Sequence, residues 1–485
     1  MRQASGGARV CVTTLLALAA LAAFAPASPA APSFGTAVRY SCPGVWELTS
    51  VAVGDLNEDG KLDIVGGPGP AWDHPVFWFP GGSPLGTFGP MQGVLMYVPT
   101  PSSLTLGRFR GTGSHLDLAL TSMTQKALWI VPGNGDATFA AGASYPVGLD
   151  PRRVVADDFN GDAVLDVAVV NRNSCTVSYF LGAGDLSFGP QVCFGTGVDP
   201  GPVCSADMDH DGLPDLLVTS MSPGAVHSVV MNAATHDFYP RTDVSAPGAI
   251  TSAVEDFNGD GVPDVAVTSE THMWIEENNG WGTLAPRAET YPASGGCWSM
   301  VAADLDHDGN PDLIRANLSD STISIWPGKG DGRFGARNDY VVGEAPWALA
   351  VADVDQDGDL DIVVGCNAEP HHVAVLLNHR IVVGVETPVL PAKAALLPPR
   401  PNPSRAATTF AFDLPTATHA SVMIADVQGR VVRTLAGDES FVAGRSSLTW
   451  DGRDAAGRPA AAGVYFVRLK TARGFTDVRR LELVR

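Results

Sequence analysis

The sequence predicts an all-β protein, a seven-bladed β-propeller followed by a small β-sandwich. Three observations carry this. An acidic segment recurs about every 49 residues, a Phe-Gly marker runs in phase with it, and both stop near residue 380, where short strands of another pattern begin.

The acidic segment is clearest at Asp55 to Asp63 (DLNEDGKLD) and Asp158 to Asp166 (DFNGDAVLD). It returns with first aspartates at Asp207, Asp256, Asp304 and Asp353. The interval from Asp55 to Asp158 is twice the period. A worn copy fills it at Gly107 to Asp117, with Arg108 and Arg110 in the acidic region and only Asp117 retained. The second marker reads Phe34-Gly35, Phe88-Gly89, Phe139, Phe188-Gly189, Phe238, Leu284 and Phe334-Gly335, so both markers count seven. A period of this length fits a four-stranded blade, whereas a calcium-repeat β-solenoid needs a far shorter one.

Within one unit, Arg153 to Asp158 reads as the first strand, Asp166 to Val170 as the second, Thr176 to Leu181 as the third and Phe188 to Cys193 as the fourth. Phe34 precedes the first acidic loop. The N-terminal strand is therefore expected to complete the last blade, which closes the ring and removes its open edges.

Before the repeats, Arg2 and Arg9 precede an apolar run from Val10 to Phe24 and small residues up to Ala30. Residues 1–30 read as a secretory signal peptide. No later stretch is apolar and long enough to cross a bilayer, so the protein is expected to be secreted or at the cell surface. Without Cys11 six cysteines remain, and symmetry about the Gly182 to Asp185 turn predicts a disulfide between Cys175 and Cys193. The content of 53 Gly and 37 Pro suits many short strands. The net charge of -21 argues against nucleic acid and anionic membrane as partners and makes divalent cations the natural counter-charge.

After the repeats, Pro388, Pro391, Pro398 and Pro399 mark residues 381–400 as a Pro-rich linker. The tail, 401–485, then shows short strands at Thr408–Leu414, Ala420–Asp426, Arg430–Leu435, Ser447–Asp451, Gly463–Leu469 and Phe475–Leu483, a count that suits a small sandwich.

The pairing of a Phe-Gly strand with D-x-[DN]-x-D-G-x-x-D over residues 31–380 resembles the FG-GAP/VCBS repeats of integrin-α-like propellers. In the tail, Pro401-Asn402-Pro403, Gly429-Arg430, Trp450 to Asp454, Gly457 and Gly463-Val464-Tyr465 resemble the FlgD-like immunoglobulin fold and the related type IX secretion sorting domains. A sorting domain implies passage through outer-membrane export machinery. The residues equally allow a plain accessory sandwich packed by Trp450 and Tyr465.

Calcium takes six to eight oxygens, so a loop with carboxylates or amides at alternate positions can wrap it. Positions one, three, five and nine supply side chains, glycine at six permits the turn, and the resemblance implies a backbone carbonyl at seven. The candidate ligands are Asp55, Asn57, Asp59, Lys61 and Asp63; Asp158, Asn160, Asp162, Val164 and Asp166; Asp207, Asp209, Asp211, Leu213 and Asp215. The remaining loops offer Asp256, Asn258, Asp260, Val262 and Asp264; Asp304, Asp306, Asp308, Asn310 and Asp312; Asp353, Asp355, Asp357, Asp359 and Asp361. The acidic side chains at positions one, three, five and nine number 21, which matches the net charge of -21 in magnitude. Five or six Ca2+ ions with a structural role are expected. Ala163 in place of glycine makes the loop at Asp158 the weakest, and Asp207→Ala is expected to cost more stability than Asp117→Ala.

No nucleophile elbow, zinc-binding helix, phosphate loop or CxxC pair is present in the mature chain. The chain reads as a non-catalytic binding or adhesion module for an extracellular protein or glycan. A secreted enzyme, a lectin and a purely structural surface protein are the alternatives. His371 and His372 are expected to be solvated loop residues. Trp72, His74, Arg152, Trp298, Trp347 and His371 are expected on the face opposite the acidic loops, where tryptophans at repeating positions pack blades or hold ligand.

Overall fold

A computed structural model describes residues 32–484 apart from 46, 70–75, 94–97, 112, 114, 222–225, 231–241, 380–392, 400–401, 403, 405–407, 417, 442–443 and 473. The signal segment 1–30, Trp72, His74, Phe238 and most of the Pro-rich stretch lie outside the described residues. The chain forms two compact units, one up to residue 381 and one from 382. Among the described residues every regular element is a β-strand.

Among the described residues the first unit holds seven four-stranded antiparallel sheets; six are built from four consecutive strands in order from inside outward, and the last takes its outermost strand from the N-terminal end of the chain. The innermost strands, which name the first to seventh sheets, are Leu48–Gly54, Pro101–Gly107, Pro151–Asp157, Pro200–Ala206, Thr251–Glu255, Met300–Ala303 and Pro346–Ala352. Each packs on the next, and the seventh packs on the first. The ring closes as a propeller. Closure uses the expected strand: Val38–Ser41 forms the outer edge of the seventh sheet, with Val38 opposite Val375 and Ser41 opposite His372.

Burial explains the strand sequences. The second strands, such as Asp166–Asn171 (DVAVVN), are buried throughout and read as continuous apolar runs rather than alternating ones. The outermost strands Val38–Ser41, Ala143–Pro146 and Asn338–Val341 are exposed except at the third residue, which turns inward. That residue is Tyr40, Tyr145 or Tyr340. Each ring stands edge-on to the Phe-Gly phenylalanine of the following sheet: Tyr40 to Phe88 at 5.4 Å, Tyr145 to Phe188 at 5.4 Å and Tyr340 to Phe34 at 5.3 Å. Tyr291 does the same to Phe334 at 5.5 Å. Its hydroxyl accepts the Phe334 N–H at 3.0 Å. Such pairs add about 0.5–1.5 kcal/mol each beyond area burial. The Phe-Gly marker is thus a pin between blades.

This role moves the fourth strand of the third sheet. It runs Val192–Gly195, four residues after the predicted start at Phe188, because Phe188 makes only a bridge to Gly182 while its ring packs on Tyr145. The shift also overturns the predicted Cys175–Cys193 disulfide. Cys193 lies opposite Ser178, and Cys175 sits in the preceding turn at φ 53°, where its N–H reaches Arg172 O. All six described cysteines are free thiols. Burial pushes Cys42 and Cys366 up to about 12 and Cys297 up to about 11, so they behave as apolar core groups.

The second unit is a sandwich. A three-stranded sheet orders Ala395–Leu396, Thr408–Leu414 and Gly444–Trp450. A four-stranded sheet orders Val431–Phe441, Thr418–Asp426, Gly463–Thr471 and Thr476–Leu483. Its first strand falls inside the stretch read as linker, since Leu396 pairs with Phe412 and is fully buried. Phe410, Phe412, Val422, Val467 and Leu469 fill the space between the sheets. Trp450 and Tyr465 meet edge-on at 5.2 Å, and each satisfies its polar tip on a carbonyl, Arg453 O at 2.7 Å and Ala461 O at 2.6 Å.

The register carries a direct expectation. Iodoacetamide should alkylate Cys193 in the native, unreduced protein and both Cys175 and Cys193 after unfolding without reductant; a peptide joining the two contradicts the register.

Candidate metal loops

Each acidic segment connects the first strand of a sheet to the second, at one end of the ring. The first loop shows the local geometry. Asp55 accepts the N–H of Asp59 at 3.2 Å and of Gly60 at 2.9 Å. Asn57 Oδ1 accepts the Asp59 N–H at 3.0 Å, and Asp59 Oδ1 accepts the Lys61 N–H at 3.0 Å. The loops at Asp158, Asp207, Asp304 and Asp353 repeat these bonds with the same donors. The loop at Asp256 differs only in that Asp256 Oδ1 takes the Gly259 N–H. Position one uses one lone pair on each oxygen and positions three and five one lone pair each to shape the turn, and the remaining lone pairs are left for a cation.

Position six adopts positive φ in all six loops, which glycine does without strain. Ala163 is held at φ 66°, the departure that singles out its loop. At the other five, nothing lies within 4 Å of an added Cβ, so backbone angle rather than space favours glycine there.

Position nine behaves differently. Asp63, Asp166, Asp264, Asp312 and Asp361 are all buried, and Oδ1 of each accepts a backbone N–H from the turn after the third strand: Gly81 at 2.7 Å, Gly182 at 2.7 Å, Asn278 at 3.0 Å, Gly328 at 2.8 Å and Asn378 at 2.7 Å. In four of these five Oδ2 also takes the N–H of position two. In the fifth, Asp264 Oδ2 is buried with no hydrogen-bond partner among the described residues. Burial raises these carboxyls first, and neighbouring loop aspartates raise them further, to about 6 for Asp63 and about 7 for the other four.

Three of the loops gather carboxylates tightly. Oxygens of Asp207, Asp209 and Asp215 lie within 4.8 Å of one another, as do those of Asp304, Asp306 and Asp308, and of Asp353, Asp355 and Asp361. The worn loop shows how the fold treats the same position otherwise. Arg110 Nη2 lies 2.5 Å from Asp117 Oδ1 and 2.7 Å from Gly133 O, while Gly133 N–H still binds Asp117. Where the loop has lost its acids, a guanidinium stands beside the buried aspartate. The orphaned Asp264 oxygen and this substitution fit a cation at the acidic loops, and their all-oxygen donors suit calcium.

The FG-GAP-like repeat model matches residues 158–218, 256–315 and 308–364, and the FlgD Ig-like domain model matches 402–474. The β-propeller of this chain carries FG-GAP-like repeats, and its tail a FlgD Ig-like domain. The loops at Asp55 and at Arg108 lie outside the matched spans. No curated protein matches the chain. Among solved structures, the BP39L lectin from Burkholderia pseudomallei is 13% identical at a TM-score of 0.54, covering 69% of this chain and 99% of that one; it shows the shared fold. An Agrocybe aegerita lectin, described as recognising non-reducing terminal N-acetylglucosamine, is 18% identical at a TM-score of 0.46, over 69% of this chain and 87% of that one. PorZ, a surface component of the type IX secretion system of Porphyromonas gingivalis, is 13% identical at 0.43, with 92% of this chain covered and 61% of that one.

The acidic loops also join neighbouring blades. The carbonyl at position two accepts a bond from the next sheet: Leu56 O from Ala137 N at 3.0 Å, Met208 O from Asn278 Nδ2 at 2.8 Å, Phe257 O from Gly332 N at 2.8 Å and Leu305 O from Asn378 Nδ2 at 2.8 Å. The two histidines expected in solvent are instead buried. His372 opens a third strand with Nδ1 2.9 Å from Pro370 O and Nε2 3.2 Å from Val342 O, which ties the seventh sheet to the sixth, and His371 is 6% exposed beside it.

Two expectations follow from position nine. The sequence ranking of Asp207→Ala above Asp117→Ala reverses, because Asp117 is fully buried and holds both Arg110 and Gly133 N–H. Asp117→Ala should cost about 2–4 kcal/mol with or without chelator. Asp207→Ala should cost about 1.4 kcal/mol in millimolar calcium and little in chelator, if the site binds near 0.1 mM; urea unfolding of both variants in each condition measures this.

Acidity gives the second. Carboxyls raised from about 4 toward 7 bind protons more tightly in the folded chain, so they stabilise it fully below about pH 4, and that contribution is lost as pH rises through about 7. In chelator the melting temperature should therefore fall across that window, and saturating calcium should raise it most near pH 7. A chelated protein whose melting point rises from pH 4 to 7 contradicts the burial of these groups.

Proposed function

We propose that the chain is a secreted or cell-surface binding module, non-catalytic, in which calcium rigidifies one face of the propeller and the opposite face meets an extracellular protein or glycan. The single observation that carries this is the worn loop, where Arg110 places beside the buried aspartate a positive charge that Asp63, Asp166, Asp264, Asp312 and Asp361 lack among the described residues. A fold that keeps a cation at this position even when the acids are gone needs that charge for its structure. Five or six ions are then structural parts, held by the candidate ligands of the loops at Asp55, Asp158, Asp207, Asp256, Asp304 and Asp353.

The division of labour supports a binding role. Acidic loops follow six of the seven inner strands, and at the other end Arg152, Arg153 and Trp347 stand at the starts of inner strands, with Trp298 two residues before one. The fold is shared with BP39L, a lectin, while the ligand class of this chain is argued from its own residues. The tail is assigned to export or surface attachment on its FlgD Ig-like match.

Metal analysis after dialysis against millimolar calcium should return five or six ions per chain, and chelation should lower the melting temperature. A protein and glycan array on the calcium-loaded chain should find a ligand, and deletion of 401–485 should leave a folded propeller that is no longer delivered. Stoichiometry near zero overturns the calcium assignment, turnover of an array ligand overturns the non-catalytic one, and unchanged delivery overturns the role of the tail.

A further inference from the structure

At the channel end opposite the acidic loops, Trp347 lies in the inner strand of the seventh sheet and Trp298 stands two residues before the inner strand of the neighbouring sixth. Their rings stack at 4.9 Å with an interplanar angle of 13°. Both remain partly exposed, unlike Trp326 of the same sixth sheet, which is 1% exposed and belongs to the core. Two stacked indoles that stay in contact with water form a platform for a third ring.

Arg153 comes from the third sheet and spans the channel, its Nη2 3.5 Å from Trp298 O. Its neighbour Arg152 is paired with Asp150 at 2.8 Å, and Asp199 is taken by Arg172. Arg153 has no ion pair among the described residues, and its surroundings are dry enough that burial, with Arg152 second, lowers its pKa. A guanidinium has five donors in a planar fork suited to a carboxylate. Within a chain of net charge -21 this is a local positive site. Long polyanions such as nucleic acid are repelled by the whole.

We propose that this mouth binds an acidic saccharide, with a pyranose ring on the Trp298–Trp347 pair and its carboxylate on Arg153. The inference rests on the binding-module reading and names its ligand class.

The test titrates the full, calcium-loaded chain with a glucuronate-containing oligosaccharide and with its methyl ester, which keeps the ring and removes the charge. Indole fluorescence and calorimetry read the binding. The acid should bind about tenfold or more tightly than the ester, as a charge-assisted bond implies. Arg153→Gln should equalise the two, Trp347→Ala should weaken both, and Arg445→Gln in the sandwich should change neither. Melting curves on each variant, and Trp347→Phe as a conservative partner that retains binding, separate loss of the site from loss of the fold. Equal affinity of the wild type for acid and ester, or a preference that survives Arg153→Gln, overturns the acidic assignment while leaving a glycan-binding module standing. Binding of neither saccharide, or tighter binding of an acidic peptide, also overturns it; the array then judges the binding reading by itself.

Discussion

A buried aspartate at the start of the second strand is the interaction on which the propeller depends. One carboxylate oxygen takes the N–H of the turn after the third strand, and in most sheets the other takes the N–H of the loop's second residue. A single side chain so short can bind both only if the loop and the turn are already side by side. It therefore locks the loop after the first strand to the turn after the third at one end of the sheet. The cost is an acid in a dry place, crowded by other acids, and a positive charge is the direct remedy. Six loops keep the acids; in the seventh, Arg110 stands beside the buried aspartate.

Blade-to-blade contacts follow from this fixed end. With the loop held, its second residue projects inward as Leu56, Phe109, Phe159, Met208, Phe257, Leu305 or Val354, all buried. Phe109 meets Phe188 of the next sheet at 5.9 Å and Phe257 meets Phe334 at 5.6 Å. The same phenylalanines receive the tyrosines of the preceding outer strands. Acid, apolar plug and Phe-Gly pin are one joint seen from three sides, which is why two sequence markers stay in phase over seven copies.

Polar groups elsewhere in the ring show how much burial the sheets impose. Arg315 is fully buried between the fifth and sixth sheets and spends its donors on Thr268 Oγ1, Ser294 O, Asn317 Oδ1 and Ser269 O. His227 and Glu276 face each other at 3.6 Å, the histidine pushed down to about 4 and the glutamate up to about 7 by burial. Neutral forms of both are the inexpensive ones in so dry a place. At the mouth opposite the acidic loops, by contrast, Arg153 and the tryptophan pair stay partly open.

The sequence by itself determined the period, the seven-fold count of both markers, the place of each acidic loop between two strands, and the closing role of the N-terminal strand. These are local or periodic properties, written in alternation, glycine placement and acid spacing. The survival of Asp117 was also visible, but its reason was not, because the partner N–H of Gly133 and the Arg110 guanidinium come together only when three strands pack. Hairpin symmetry failed at Cys175 and Cys193 for a related reason: the pin at Phe188 delays the fourth strand, and a shift of register moves every facing pair. Only tertiary structure decided that His371 and His372 are buried and that Arg153 crosses the channel to Trp298. Contacts between residues 145 positions apart depend on how many blades close the ring, and no local pattern encodes that distance.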